Sequence, residues 1–334
     1  MARADTLTGR HEAAGLRRRF RLVLPGGPGR AAGLVVLLHG CTQDAEDLAA
    51  GTGMDEAATA RGWAVLYPEQ DPDAHPQTCW RWYEADQRRP GSGEAALIAD
   101  LAGEVAAERL VEDAPVWIGG ISAGAAMALN VFALRPDLFA GVGLHSGVPY
   151  AVADDQAGGL AAMAGQGPDA AELSRRLAEA VAAGRSDVDA PAGGRLPPLL
   201  VVHGTADDAV DPSNAARLVE SWHGAGSLLA RGVEPDGPGG ADPTEPSGPS
   251  EPSGPAGLSE PAARDRGEDG RPFERLRWPA AGGRGPMELW RVEGLGHAWS
   301  GGHPGGSYAD PEGPPATRAM LRFFRRTGMA GDGR

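Results

Sequence analysis

The chain has 334 residues, 41% of them apolar, enough for one large α/β domain or two small ones with a real core. Its formal net charge of −14 argues against nucleic-acid binding, which needs a basic surface, and the short basic run 15–20 (GLRRRF) is too small to reverse that. All 31 basic residues are arginine, which excludes Schiff-base chemistry, a serine–lysine dyad and a P-loop lysine.

Two cysteines, Cys41 and Cys79, make neither a disulfide-rich scaffold nor a CxxC metal site. No run reaches the roughly 18 apolar residues of a membrane helix. The first twenty residues lack the apolar core of a secretory signal, so the chain as written reads as unexported.

In chain order, 32–40 (AGLVVLLHG) reads as a buried strand broken by glycine, 47–62 as a helix and 63–70 (WAVLYPEQ) as a second strand. Residues 92–110 read as a helix with Ser92 at its N-cap. The strand 115–120 (PVWIGG) runs into the helix 122–139, then the strand 140–147. The strand 197–204 (PPLLVVHG) precedes the helix 212–226, and the strand 287–294 precedes a closing helix, 314–328. Continuous apolar strands alternating with helices predict a single α/β domain over 16–328. Its mostly parallel central sheet would carry helices on both faces, a three-layer sandwich. Ligands then bind at the carboxyl ends of the strands.

Two regions interrupt the alternation. The Ala/Gly-rich stretch 151–195 holds one helical pattern and reads as a small cap or as a surface helix without a role. The stretch 231–272 is rich in Pro, Gly, Ser and Glu, repeats EPSGP at Glu245 and Glu251, and has almost no large apolar residue. Such a composition cannot offset the entropy of ordering itself, so it reads as a disordered insertion within the domain.

The segment 120–124 (GISAG) matches G-x-S-x-G between a strand and a helix, the context in which the serine of this motif is a nucleophile. A serine hydroxyl needs a base, and the base an orienting acid, in the chain order serine, acid, histidine. His297, in a glycine-flanked loop after the late strand, is the expected base. His303 competes with it, His203 reads as a core histidine, and His223 as an exposed one. Asp207 comes first after the preceding strand and is the expected acid. Asp208 is its alternative, and Asp211, before Pro212, reads as a helix N-cap. The backbone amides of Ala123, after the nucleophile, and Cys41, after the early strand, are the expected oxyanion donors.

Together LHGCTQ, YPEQ, CWRWY, GEAALIADL, GISAGAAMA, GLHSGVPY, VVHGTADDAV and GLGHAWSGG resemble the polyhydroxybutyrate depolymerase-like esterases of the α/β-hydrolase superfamily, relatives of feruloyl and acetylxylan esterases. The resemblance runs from about Leu34 to Phe324 outside the Pro-rich insertion. It implies an α/β-hydrolase fold, Ser122, Asp207 and His297 as triad, an oxyanion amide from HGC, and no metal or organic cofactor. It implies hydrolysis of a small or polymeric ester through an acyl-enzyme, with a feruloyl or acetylxylan substrate as alternative. It also implies secretion, although no export signal is visible. A non-catalytic binding protein on this fold would typically lack a triad member. The resemblance further suggests that Cys41 and Cys79 pair, against two free thiols. Trp80, Trp82 and Tyr83 in one loop, and Trp299 two residues after His297, read either as core or as the apolar lining of a substrate pocket.

Overall fold

The computed structural model describes residues 3–186, 195–232, 261, 263–267 and 270–328. In chain order the elements are β1 (Asp5–Ala13), β2 (Leu16–Leu24), β3 (Leu34–Leu38), α1 (Ala45–Thr52), α2 (Met54–Thr59), β4 (Ala64–Glu69) and α3 (Gly93–Arg109). Next come β5 (Val116–Ile121), α4 (Ala123–Leu134), β6 (Phe139–His145), α5 (Gln156–Met163), α6 (Ala170–Ser186), β7 (Leu199–Gly204) and α7 (Ser213–Arg231). The chain finishes with β8 (Ala263–Gly267), β9 (Phe273–Trp278), β10 (Met287–Val292), β11 (Trp299–Ser300), β12 (Ala309–Asp310) and α8 (Ala316–Gly328).

Ten strands form one sheet in the order β1-β2-β4-β3-β5-β6-β7-β10-β9-β8. The six from β4 to β10 run parallel, and antiparallel strands flank them on both edges. β3, with the sequence LVVLL, is buried throughout and feeds both faces alternately. Leu34, Val36 and Leu38 enter the core shared with α3, α4, α6 and α7. Val35 and Leu37 enter the core shared with α1, α2 and α8. This is why the parallel strands read as unbroken apolar runs: each has a helical layer on either side. The architecture is an α/β-hydrolase fold.

Several elements depart from the sequence reading. The sheet starts before residue 16, because β1 pairs with β2 as an edge hairpin. His11, buried on β1, fastens that edge to α3 through Asp100 at 2.8 Å. The expected helix 47–62 is two helices, broken where Gly53 takes φ +60, a left-handed helix end. Ser92 occupies the N-cap of α3 but makes no capping bond; Gln87 Oε1 accepts instead from the amides of Glu94 (2.7 Å) and Ala95 (3.2 Å).

The assignment of 231–272 to a disordered insertion needs correcting at its ends. Arg231 is the last residue of α7, and 263–267 is β8, an edge strand whose backbone pairs with β9. Ladder hydrogen bonds satisfy an edge strand whatever its side-chain polarity. Residues 233–260, 262 and 268–269 of that stretch lie outside the described residues, as do 187–194 of the cap region. Within the cap region, α6 packs on α7 and α4. No helix among the described residues is long and apolar enough to cross a membrane.

Candidate active site

Ser122 stands between β5 and α4 with φ 57 and ψ −124, a conformation that L-residues avoid. The sequence makes this turn possible by leaving out two side chains. A Cβ on Gly124 would lie 2.2 Å from the Leu38 carbonyl oxygen and 2.5 Å from that of His39. One on Gly120 would lie 2.7 Å from the Leu38 oxygen. The helix therefore starts directly against the end of β3, and the turn is pinned by the Ser122 amide donating to the His145 carbonyl at 2.9 Å. Ala123 is the first residue of α4, so its amide points at the serine side chain's surroundings, not at a helical carbonyl.

Asp207 follows β7 and is buried. Its Oδ1 accepts from the amides of Ala209 (3.1 Å) and Val210 (2.9 Å). His297, in the loop after β10, places Nδ1 at 2.9 Å from both carboxylate oxygens. Burial on its own would raise the Asp207 carboxyl. Hydrogen bonds from His203 and His297, the charge on His297 and the Val210 amide outweigh it and hold the group well below the usual carboxylate range. Nδ1 of His297 is thereby assigned as the donor, which leaves Nε2 as the free base position.

Ser122, His297 and Cys41 line one cavity of about 230 Å³ at the carboxyl ends of the strands. Cys41 lies in the loop after β3 and is joined by a disulfide to Cys79. The amides of Cys41 and Ala123 have no backbone acceptor among the described residues. The Cys41 loop is held by Gln43, whose Oε1 accepts from Gly40 N at 3.0 Å while its Nε2 donates to Asp47 at 2.9 Å. Tyr308, at φ 48, forms the opposite wall. Its ring stands edge-on to His297 at 6.2 Å between centroids, and its hydroxyl lies 3.1 Å from Thr42 Oγ1. Ser122 and Tyr308 line one cavity at positive φ, and Thr42, also at positive φ, contacts Tyr308 beside it, strain of the kind that collects at functional sites.

The other sequence candidates are separated by position. Asp208 is exposed, and Asp211 accepts from the Ser213 amide at 2.8 Å, at the start of α7. His303 is exposed. His223 is half-buried and accepts from Arg284 Nε at 3.1 Å, a departure from the exposed reading. His203 is fully buried but is not isolated from the site: its Nε2 lies 3.3 Å from Asp207 Oδ2.

None of the four aromatic candidates lines the cavity. Trp80 is fully buried and donates Nε1 to the His39 carbonyl at 3.1 Å. Trp82 belongs to the core, and the Tyr83 ring lies against Gly159 of α5. Trp299 is 2% exposed, stacks on the His145 ring at 5.0 Å and donates to Thr317 Oγ1 at 3.0 Å. These rings hold up the loops that carry the site. The walls come instead from Gln77, Met163 at the end of α5, and Tyr308, which carry no signal in sequence spacing.

Two buried histidines brace the floor. His39 Nδ1 donates to the Gly40 carbonyl at 2.8 Å and Nε2 accepts from Gln70 N at 3.1 Å, so the ring is neutral; burial pushes its pKa down to about 4. His145 accepts from Ser300 N at 3.0 Å, and burial together with the nearby rings of His203 and His297 lowers it to about 3. Glu94, buried on α3, accepts from Arg18 (3.0 Å), Gln70 (2.7 Å) and the Arg81 amide (3.0 Å), and so anchors the loop that carries Cys79.

The chain is 30% identical over 204 residues to poly(3-hydroxyalkanoate) depolymerase C of Paucimonas lemoignei, which covers 60% of this chain and 47% of that one. It is 27% identical over 212 residues to acetylxylan esterase A of Emericella nidulans, covering 61% and 66%. The chain thus spans about half to two thirds of the length of these curated relatives. In fold it is similar to an acetyl xylan esterase from Aspergillus awamori, with a TM-score of 0.63 at 17% identity over 87% of this chain and 94% of that one. The sequence model of the family described as esterase PHB depolymerase matches residues 19–233, well over half of the chain, and the protein belongs to that family.

Proposed function

We propose that the protein is a serine esterase that cleaves carboxylic esters through an acyl-enzyme. The observation that carries the reading is the convergence, on one cavity, of Ser122 at a strained turn, His297 held by Asp207, and Cys41, with the Ala123 amide directly after the serine at the start of α4. His297 Nε2 removes the proton from Ser122 Oγ as that oxygen attacks the ester carbonyl. The two amides hold the tetrahedral oxyanion. The C–O bond then breaks, and the alcohol leaves with the proton from His297. Water, activated by the same nitrogen, releases the acid. Asp207 stays ionised and keeps the imidazole oriented. A buried carboxylate that accepts from two backbone amides is suited to that role, because those donors favour its ionised form.

The substrate class follows the relatives: a polyhydroxyalkanoate ester by the first, with acetylated xylan by the second as the alternative. Ser122→Ala is expected to abolish hydrolysis of p-nitrophenyl butyrate and labelling by a fluorophosphonate while circular dichroism is unchanged. Activity retained in that folded variant would rule the mechanism out. Turnover on hydroxybutyrate oligomers, polymer film, acetylated xylan and methyl ferulate then ranks the acyl groups.

A further inference from the structure

We propose that His203 is a positioning residue for the acid: its Nε2–H fixes the Asp207 carboxylate in the one rotamer that presents it to His297. The proposal rests on the serine-esterase reading above and concerns a residue outside its triad.

His203 stands near the end of β7 with 1% exposure. Its Nε2 lies 2.9 Å from the Val210 carbonyl and 3.3 Å from Asp207 Oδ2. A carbonyl can only accept, so Nε2 carries the hydrogen and donates to Val210, with Asp207 Oδ2 as a second, longer contact on the same N–H. Nδ1 is then an unprotonated acceptor, and it is buried without a partner among the described residues. A buried polar atom left unpaired is unfavourable. A histidine kept for packing alone would do worse here than leucine, so the orphaned nitrogen points to a use for the opposite one.

That use is visible in the carboxylate. Terminal torsions of aspartate are broad, and an unrestrained carboxylate turns about its last bond. Here Oδ1 is held from one side by the amides of Ala209 and Val210. Apart from His297, Oδ2 has His203 as its partner. The same imidazole also ties the Val210 carbonyl, so the turn 207–210 is closed by its own strand end. With both oxygens fixed, His297 Nδ1 sits at 2.9 Å from each. Without His203 the carboxylate keeps its place in the chain but loses its angle. A misplacement of about 1 Å in a catalytic group can cost on the order of 100-fold in rate.

The test compares His203→Leu, His203→Gln and His203→Asn, with p-nitrophenyl butyrate as substrate and Ser122→Ala as control. Glutamine can place an amide N–H near the position of Nε2; asparagine is too short to do so. In His203→Leu, kcat is expected to fall about 10- to 100-fold with KM within about twofold while circular dichroism shows a folded protein. The rate of fluorophosphonate labelling falls in parallel, and His203→Gln recovers most of the loss. A folded His203→Leu with kcat within twofold of the parent overturns the proposal, as does a glutamine variant no better than leucine. If His203→Leu does not fold, glutamine against asparagine decides: at least tenfold higher kcat for glutamine supports the role, and equal values refute it. Full activity in Ser122→Ala would instead overturn the esterase mechanism, so the two failures are distinguishable.

Discussion

The Cys41–Cys79 disulfide ties the loop that offers the Cys41 amide to the loop that carries Trp80, and removing it should weaken both the fold and the reaction. The bridged residues are 38 apart in sequence, and the segment between them holds α1, α2 and β4. In the chain-entropy account, a closed loop of that length lowers the entropy of the unfolded chain by about 13 cal/mol/K, which is about 3.9 kcal/mol at 25 °C. Unfolding entropy is about 2.1 cal/mol/K per residue, or roughly 700 cal/mol/K for the whole chain, so the melting temperature should drop by about 5 °C. One oxyanion donor is worth about 10²- to 10³-fold in kcat. Gln43 still holds Gly40 when the bridge is gone, so the loss should stay below that range, near tenfold. The assay is differential scanning calorimetry and p-nitrophenyl butyrate turnover of Cys41→Ser/Cys79→Ser beside the parent. Equal melting temperatures and equal kcat would refute the reasoning, and so would two titratable thiols in the denatured, unreduced parent.

Acidification should destabilise the protein well above the carboxylate range. His39 and His145 are neutral in the fold, lowered to about 4 and about 3 mainly by burial, whereas both take protons near 6.5 once unfolded. The unfolded state therefore binds more protons between pH 6.5 and about 4, and stability falls there by up to about 1.4 kcal/mol per pH unit for each histidine. Asp207, held low, adds its own loss only as pH falls below its ordinary value of 3.8. Urea midpoints measured at pH 7, 6 and 5 check this, and a flat series would contradict it. Gly124→Ala should cost more than 100-fold in activity or prevent folding, because its Cβ would meet the Leu38 carbonyl at 2.2 Å. Gly103→Ala, within α3 and with nothing inside 4 Å of the new Cβ, should stabilise by about 1 kcal/mol in the same urea assay; the reverse ranking of these two alanines would refute the packing argument.

Much of the fold is legible in local chemistry. LVVLL, short and bounded by glycine, reads as a strand covered on both faces, and GISAG after VWI reads as a sharp turn, so the parallel sheet and the Ser122 turn are legible from residues within a few positions of one another. Chain order and strand-end position make Asp207 and His297 the first choices beside Asp208 and His303, and the structure brings Asp207 and His297 to 2.9 Å. What escapes local reading is whatever depends on distant partners. β1 is polar along most of its length and becomes a strand only because β2 offers it a ladder. Ser92 carries the capping side chain, yet Gln87 makes the bonds, since a loop folds back over the helix start.

The aromatic residues show the limit most clearly. Trp80, Trp82 and Tyr83 share one loop and Trp299 lies two residues after His297, a pattern that fits core packing and a substrate wall equally. Burial decides for the tryptophans: each ring finds its apolar neighbours, and Trp80 and Trp299 find hydrogen-bond acceptors, behind the loops. The cavity wall falls to Met163, Gln77 and Tyr308, brought from three separate segments. The sequence by itself determined the order of the parallel strands and the helices between them, the Ser122 turn and the identity of its candidate partners, because those follow from periodicity, turn sterics and strand-end chemistry, which act over a few residues. Only the tertiary structure decided which side chains face the cavity, and that His203 stands behind Asp207, because burial and hydrogen-bond partnership are set by residues far apart in the chain.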